Sequence, residues 1–323
     1  MLNQPGLRAM VWQALLFALL AVGLWILVGN LNANLAQRGI DFGYDFLLGP
    51  AGFDIAERAI EYDADSSYVR AFVVGLINTL RVAVIGIVLA SLLGLLVAVG
   101  SLSPNPLLVW LCRQFVEFIR NVPLLLQLIF WYLTLAAALP DTEAPAQLLP
   151  HVFLSKNGLQ FPWFLAGAFP ALEYPEMGAF GLVGGAALSP EFMALLLGLS
   201  IYTSAFIAEI IRAGILAVPK GQTEAAAALG FTRWQQLKLV VLPQALRVII
   251  PPTTNQYLNL TKNSSLAIAI GYPDLVSIAT TTLNQSGRAV EAISIIMAVY
   301  LSLSLLTSFL MNRFEQATRL KER

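Results

Sequence analysis

Residues 292–312 read AISIIMAVYLSLSLLTSFLMN, a run without one charged side chain. A helix that crosses the hydrocarbon core of a bilayer, about 30 Å thick, needs about 20 predominantly apolar residues. This run has that length, and the same pattern recurs along the chain. Trp12–Gly29, Ala71–Gly100, Asn121–Pro140 and Phe192–Ala208 are further candidates, the last reaching Ile211 if Glu209 is accommodated. Val248–Thr261 is another, broken early by Pro251 and Pro252 and continuing through Leu266–Ile270. The expected fold class is an all-α membrane protein with about six transmembrane helices. The first run is too long, and too poorly followed by small residues, for a cleavable signal peptide.

Composition agrees. The 323 residues are 58% hydrophobic and 12% charged, about half the charged share of an ordinary soluble domain. The 19 basic and 19 acidic residues cancel, so bulk charge gives no case for nucleic acid. A single cysteine, Cys112, excludes a disulfide framework, and a single histidine, His151, excludes His-His metal clusters. No metal site is expected.

Lys and Arg set the orientation. With the N-terminus inside, the inner segments hold Arg8, Arg113, Arg120, Arg212, Lys220, Arg233, Lys238, Arg247, Arg313, Arg319, Lys321 and Arg323, twelve of the 19 basic residues. The outer segments hold Asp41, Asp45, Asp54, Glu57, Glu61, Asp63, Asp65, Asp141, Glu143, Glu173 and Glu176. Both termini are therefore expected in the cytoplasm. Two outer segments exceed a plain connection. Asn30–Tyr68 reads as a folded cap or short helices, and the Pro-, Gly- and aromatic-rich Leu139–Pro190 includes an uncharged run, Asn157–Leu172, that reads as interfacial or re-entrant. Loops this long usually carry function, here the docking of something outside the membrane.

The segment after the fourth span is unlike a connector. From Arg212 it runs AGILAVPKGQTEAAAALGFTRWQQLKLVVLPQAL to Leu246. Pro219-Lys220-Gly221 makes a turn, Glu224 is placed in the first helical turn, where an anion is favoured, and Ala225–Ala228 have strong helix propensity. Gly230 suits a left-handed cap. Thr232 and Gln235 form a capping box for a second short helix, which Pro243 ends. A small, rigid, Ala-rich helix lets another surface approach closely, as a lever would require; a solvated amphipathic connector is the plain alternative.

Glu224-Ala225-Ala226, then Gly230, then Val240-x-Leu242-Pro243 resembles the EAA loop of bacterial ABC importer permeases, with Val240 where that family usually has Ile. Tyr202, Glu209-Ile-Ile-Arg212-Ala-Gly, Pro219-Lys-Gly-Gln222, Pro251-Pro252, Lys262-Asn-Ser-Ser-Leu266, Gly75-Leu-Ile-Asn-Thr79 and Glu117-Phe-Ile-Arg120-Asn-Val-Pro123 extend the likeness to the polar amino-acid branch, over about residues 70–320. The first span and the stretch from Arg38 through Ala51-Gly-Phe-Asp-Ile55 are similar to the general L-amino-acid permease subgroup.

This resemblance implies a type I ABC importer permease fold with an extra N-terminal helix, in the bacterial inner membrane. It divides the chain into an N-terminal helix with acidic external segment (1–69) and a permease core (70–323), with external insert 140–190 and cytoplasmic coupling loop 213–246. It implies that Gly221, Glu224, Ala225, Ala226, Gly230 and Pro243 couple to an ATP-binding subunit. The implied partners are two such subunits, a paralogous second permease forming a heterodimer, and an external amino-acid-binding protein. The chain has no GxxxxGK[ST] phosphate loop. It is therefore expected to be a transport subunit and not an enzyme, with ATP and magnesium bound by the partner and no cofactor of its own.

Polar groups at bilayer depth are costly unless they face a cavity or partner, which makes them candidate pathway residues. Asn78, Gln127, Tyr202, Ser204, Asn255, Gln256, Asn259, Lys262 and Ser264 are the substrate-pathway candidates. Glu117 with Arg120, and Glu209 with Arg212, share a helical face and read as structural ion pairs. Arg81 reads as snorkelling or structurally paired. The function expected is a permease subunit, half the pore, of an ATP-driven, binding-protein-dependent importer of polar or diverse L-amino acids. An ion-gradient-driven secondary transporter is the alternative, and it calls for charge relays deep in several spans.

Overall fold

The computed structural model describes residues 5–37, 42–164, 171–178 and 181–318. Residues 38–41 of the subgroup-like stretch, 165–170 of the uncharged insert run, and the terminal Arg319, Lys321 and Arg323 lie outside the described residues. Among the described residues four helices are long and apolar enough to cross a bilayer: α1 (Pro5–Gln37), α2 (Tyr68–Ser101), α5 (Pro190–Leu216) and α10 (Ala289–Thr318). Two bent pairs bring the number of spans to as many as six. In one, α3 (Pro106–Asn121) turns by 103° into α4 (Leu124–Ala138). In the other, a helical run from Arg233 to Ile270 bends by 51° into α9 (Leu275–Ser286). That run comprises α7 (Arg233–Gln236), a π-helical turn (Leu237–Val241), α8 (Leu242–Asn263) and a 3-10 turn (Ser264–Ile270); α6 (Lys220–Ala228) precedes it.

Three local expectations are corrected. The third span does not run straight from Asn121: a residue before proline is pushed out of the helical region, so Val122 is extended and α4 starts at Leu124. Its 15 residues rise about 22 Å. Pro251 and Pro252 do not break the fifth span. Both lie inside α8, because the fixed proline φ is itself helical and each residue removes only one backbone donor. Pro243 likewise does not end the second loop helix; the helical run continues through it, and it sits in the first turn of α8 just past the π-helical turn.

α2 and α5 run side by side at the centre. Lipid is as apolar as leucine, so helices in a bilayer associate through close packing and small residues rather than water expulsion. Gly94 is such a contact: a Cβ there would lie 2.8 Å from Ile207 and 3.0 Å from the Ser204 carbonyl. Around this pair Leu128, Leu195, Leu199, Leu260, Phe192 and Tyr272 form a wholly buried core. By contrast α1 is not covered among the described residues: its Trp12, Phe17 and Trp25 are 71%, 70% and 77% exposed.

Beyond the N-terminal ends of α2 and α5 lie two non-helical units. Residues 42–67 fold over α2 and α9 as a cap, with Ala51, Ile55 and Tyr62 packed on Ala71, Val74 and Ile278. Its one short helix is a 3-10 turn, Asp45–Leu48. The insert is a four-stranded antiparallel sheet in the order β1 (Ala146–Leu149), β2 (Val152–Ser155), β3 (Gly158–Phe161), β8 (Ala186–Leu188). Two small hairpins follow β3: β4 (Trp163–Phe164) with β5 (Leu172–Glu173), and β6 (Glu176–Gly178) with β7 (Gly181–Val183). The re-entrant reading of 157–172 is thus replaced by sheet over its described part. Open sheet edges do not survive in lipid, so this unit sits beyond the hydrocarbon, and the all-helical description holds for the membrane part alone.

Candidate functional site

The segment 219–243 hangs from the opposite end of the bundle. Pro219 is the N-cap of α6, so the helix begins at Lys220 and Glu224 stands one turn in, not in the first turn. At its C-terminus Gly230 takes φ +81°. Its N–H donates to the Ala227 carbonyl at 2.9 Å and that of Phe231 to the Ala226 carbonyl at 3.1 Å, a closed Schellman cap. Thr232 and Gln235 then make a reciprocal capping box for α7. Only Ala226 of α6 is buried. Gly221, Glu224 and Ala225 face outward with Ala227 and Ala228, beside Leu229 at 76% and Trp234 at 69% exposure. The product is a short rod, closed at its C-terminus, with a small-residue surface and two large apolar side chains. Pro243 is half-buried where this loop rejoins the bundle.

The pathway candidates divide into two groups. Asn78 is wholly buried, and its amide donates to the carbonyls of Glu57 (2.8 Å) and Pro273 (3.0 Å), tying α2 to the cap and to the segment before α9. Gln127 donates to the carbonyls of Ile119 and Val122, both at 2.9 Å, so it holds the α3–α4 bend. Ser204 and Ser264 are buried and bond back to carbonyls of their own helical turns. Tyr202 lies against Phe206, the rings tilted at 49° with centroids 5.0 Å apart, and packs against the core. These five tie elements together or pack in the core, although the Asn78 Oδ1 and Gln127 Oε1 oxygens are buried without a hydrogen-bond partner. Asn255, Asn259 and Lys262 differ. They recur at helical spacing on α8 and are all exposed, with Gln256 half-buried beside them. A polar stripe of this kind facing lipid is costly.

The ion pairs also divide. Arg212 and Glu209 meet at 2.6 Å. Among the described residues Glu117 and Arg120 form no ion pair; the Arg120 guanidinium instead lies over the Phe206 ring at 5.0 Å. All four residues, with Arg113, surround a cavity of about 410 Å³ on the loop side. At the cap end, Arg81 pairs with Glu57 at 3.2 Å and lies 5.2 Å over the Phe192 ring. Glu57 also accepts a short hydrogen bond from the Ser189 hydroxyl. Burial pushes the Glu57 carboxyl above its ordinary range, against the pull of Ser189 and Arg81. This clasp joins cap, α2 and the insert, and only its Arg81 end was singled out from sequence; Glu57 looked like one more acidic loop residue.

Residues 90–320 match the family model for binding-protein-dependent transport system inner membrane components. The chain belongs to this family. The match opens within α2 and takes in the exposed rod, the polar stripe and all later spans. Over 99% of its length, this permease is 42% identical to the general L-amino acid transport system permease protein AapQ of Rhizobium johnstonii, covering 94% of that protein. It is 41% identical to the putative amino-acid ABC transporter permease protein YhdX of Escherichia coli K12, across 99% of this chain and 96% of that one. A solved amino acid ABC transporter superposes with a TM-score of 0.57 at 29% identity, over 77% of this permease and 95% of the other chain. The inward-facing methionine transporter MetNI, at 18% identity and a TM-score of 0.54 over 78% of this permease and 98% of the other chain, shares the fold. The permease therefore has the ABC importer permease fold, carried on several membrane-crossing helices.

Proposed function

We propose that this permease forms half of the translocation pore of an ATP-driven importer of L-amino acids. The observation that carries the reading is the α6 rod: exposed, small-surfaced, closed by the Gly230 cap and displayed away from the bundle. Such a body transmits displacement without deforming, so it fits the groove of an ATP-binding subunit that closes and opens. The exposed Asn255, Asn259 and Lys262 on α8 fit a second permease across the pore, where amides and an ammonium meet a polar solute rather than lipid. Relatives named for general L-amino acids, and for glutamate, glutamine, aspartate and asparagine, support the substrate class.

In this reading two separate ATP-binding subunits supply ATP and magnesium chemistry, and an external binding protein delivers the amino acid. GltJ and GltK of the glutamate/aspartate import system, both similar to this chain, support a paralogous partner. The α6 end faces the cytoplasm, in agreement with its Lys220, Arg233 and Lys238. The acidic cap and the sheet insert face outward. The start of α10 beside the cap, where Glu291 accepts from the Gly43 N–H at 3.0 Å, supports an inner side for the other end of this helix. Co-expression with the neighbouring transport genes, purification of the complex and a panel of amino acids tested for stimulation of ATP hydrolysis is the decisive experiment. Amino-acid-dependent stimulation is expected. A chain that purifies without a nucleotide-hydrolysing subunit, and transports with an ion gradient alone, would refute the reading.

A further inference from the structure

The cap, the sheet insert and the outer ends of α2 and α5 enclose a second cavity, about 860 Å³. Neither the α6 rod nor the α8 stripe borders it. Its walls include Glu57, Arg81, Asn157, Phe161, Trp163 and Glu191. Arg81 is fixed from two sides, by Glu57 at 3.2 Å and by the Phe192 ring beneath it at 5.2 Å. Its side chain is still 28% exposed. One nitrogen faces Glu57, and a guanidinium has five N–H donors in a planar fork. The remaining donors are oriented and available to a carboxylate, the bidentate geometry in which Arg binds that group best. The Glu57 side chain is nine-tenths buried, and its Oε1 on the Arg81 side accepts no hydrogen bond. Glu191, in the first turn of α5, is a second carboxylate on the wall, touched by the Tyr132 hydroxyl only at 3.4 Å.

A clasp holding cap to bundle requires only Glu57, Arg81 and Ser189. It does not require another carboxylate, an amide and two aromatic rings around a space several times larger than an amino acid. We propose that this cavity receives α-amino acid zwitterions outside the membrane, with Arg81 binding the α-carboxylate, Glu191 the α-ammonium, and Phe161 and Trp163 forming a tolerant wall for the side chain. It serves as a waiting site between delivery and passage. The site selects the backbone that all amino acids share and leaves side chains in a roomy, aromatic-lined volume, which suits breadth of substrate. The inference rests on the amino-acid importer reading for its biological meaning, but its chemistry is tested separately.

The test uses the assembled transporter without binding protein. Asn157→Cys places a thiol on the cavity wall, and its alkylation by a maleimide in the detergent-solubilised complex, where both faces are open to the reagent, is timed with and without millimolar L-glutamine. Cys112 on the loop side serves as the internal reference. L-Glutamine should slow labelling at position 157 at least fivefold and leave Cys112 unchanged. 4-Aminobutanamide, which keeps the ammonium but lacks the carboxylate, should give no protection. Arg81→Gln and Glu191→Gln should each raise the half-protecting concentration tenfold or more. Glu191 lies outside the clasp, so that variant decides the matter if Arg81→Gln fails to assemble. Absence of protection by L-glutamine, protection that survives both substitutions, or protection given only by a docked binding protein would each overturn the proposal. Amino-acid uptake that persists with an unprotected cavity would sink this site and spare the importer reading; absence of uptake for every amino acid would sink the importer reading instead.

Discussion

Replacing Gly230 by alanine isolates the rigidity of the α6 rod from every other property of the loop. Gly230 has φ +81° and nothing within 4 Å of where a Cβ would be built. The substitution therefore creates no clash, and its whole effect is backbone strain, roughly 1–2 kcal/mol for an L-residue in the left-handed region. That strain falls on a nine-residue helix, too short to persist by propensity alone. Opening of the cap should become roughly 5- to 30-fold more populated, since about 1.4 kcal/mol is a factor of ten. Hydrogen exchange on the assembled transporter reads this directly. The amides of residues 230 and 231, bonded to the Ala227 and Ala226 carbonyls, should exchange faster by that factor, while α2 and α5 keep their protection. Amino acid imported per ATP hydrolysed should fall in parallel. Asparagine, which tolerates positive φ, should restore most of both. Unchanged exchange would refute the strain argument; faster exchange with undiminished coupling would refute the claim that stiffness of the rod matters.

Glu224→Lys reverses an exposed charge on α6 and should abolish uptake and substrate-stimulated ATP hydrolysis while membrane insertion, followed by cell fractionation, is unaffected. Gly94→Ala drives a Cβ to 2.8 Å from Ile207 and 3.0 Å from a backbone carbonyl. Overpacking of this kind costs about 1–3 kcal/mol, so denaturant titration should show a clear loss. Gly86→Ala meets a Leu260 methyl at 3.3 Å, which can swing aside, and should lose less. Burial holds the Glu57 carboxyl above its ordinary value of 4.5. The folded state therefore binds the proton more tightly than the unfolded chain, and stability from this group should decline as pH rises from about 4.5 through the elevated native value. Glu57→Gln should flatten that part of a thermal-unfolding profile against pH, and an unaltered profile would show that Glu57 does not titrate there.

What was legible beforehand followed from local rules. Charge-free runs located the spans because a bilayer imposes one length on all of them, and Gly230 with Thr232 and Gln235 announced two helix ends whose geometry the structure displays. Tertiary partners were not legible. Asn78 and Gln127 read as pathway amides, yet the NH2 group of each donates to backbone carbonyls, some contributed by elements distant in sequence and one exposed by a proline bend. Pro251 and Pro252 looked like breaks because a lost donor is easily read from sequence, while a helix already oriented by its neighbours absorbs the loss. The insert was misjudged because strands of two to four residues are too short to display alternation, and their pairing is decided by the turn at Lys156-Asn157 and by β8, far along the chain.

α2 holds 34 residues, about 51 Å of helix against about 30 Å of hydrocarbon. Standing upright, α2 would extend some 20 Å past the hydrocarbon as a mast, with the cap rigged to its outer end by Asn78, Arg70 and the Glu57–Arg81 pair. A tilt of ten degrees about its inner foot would sweep that end sideways by about 9 Å on this length. Whatever rocks the bundle from below must also swing the outer cavity and any delivery protein moored there, so loading and gating are geared to one shaft.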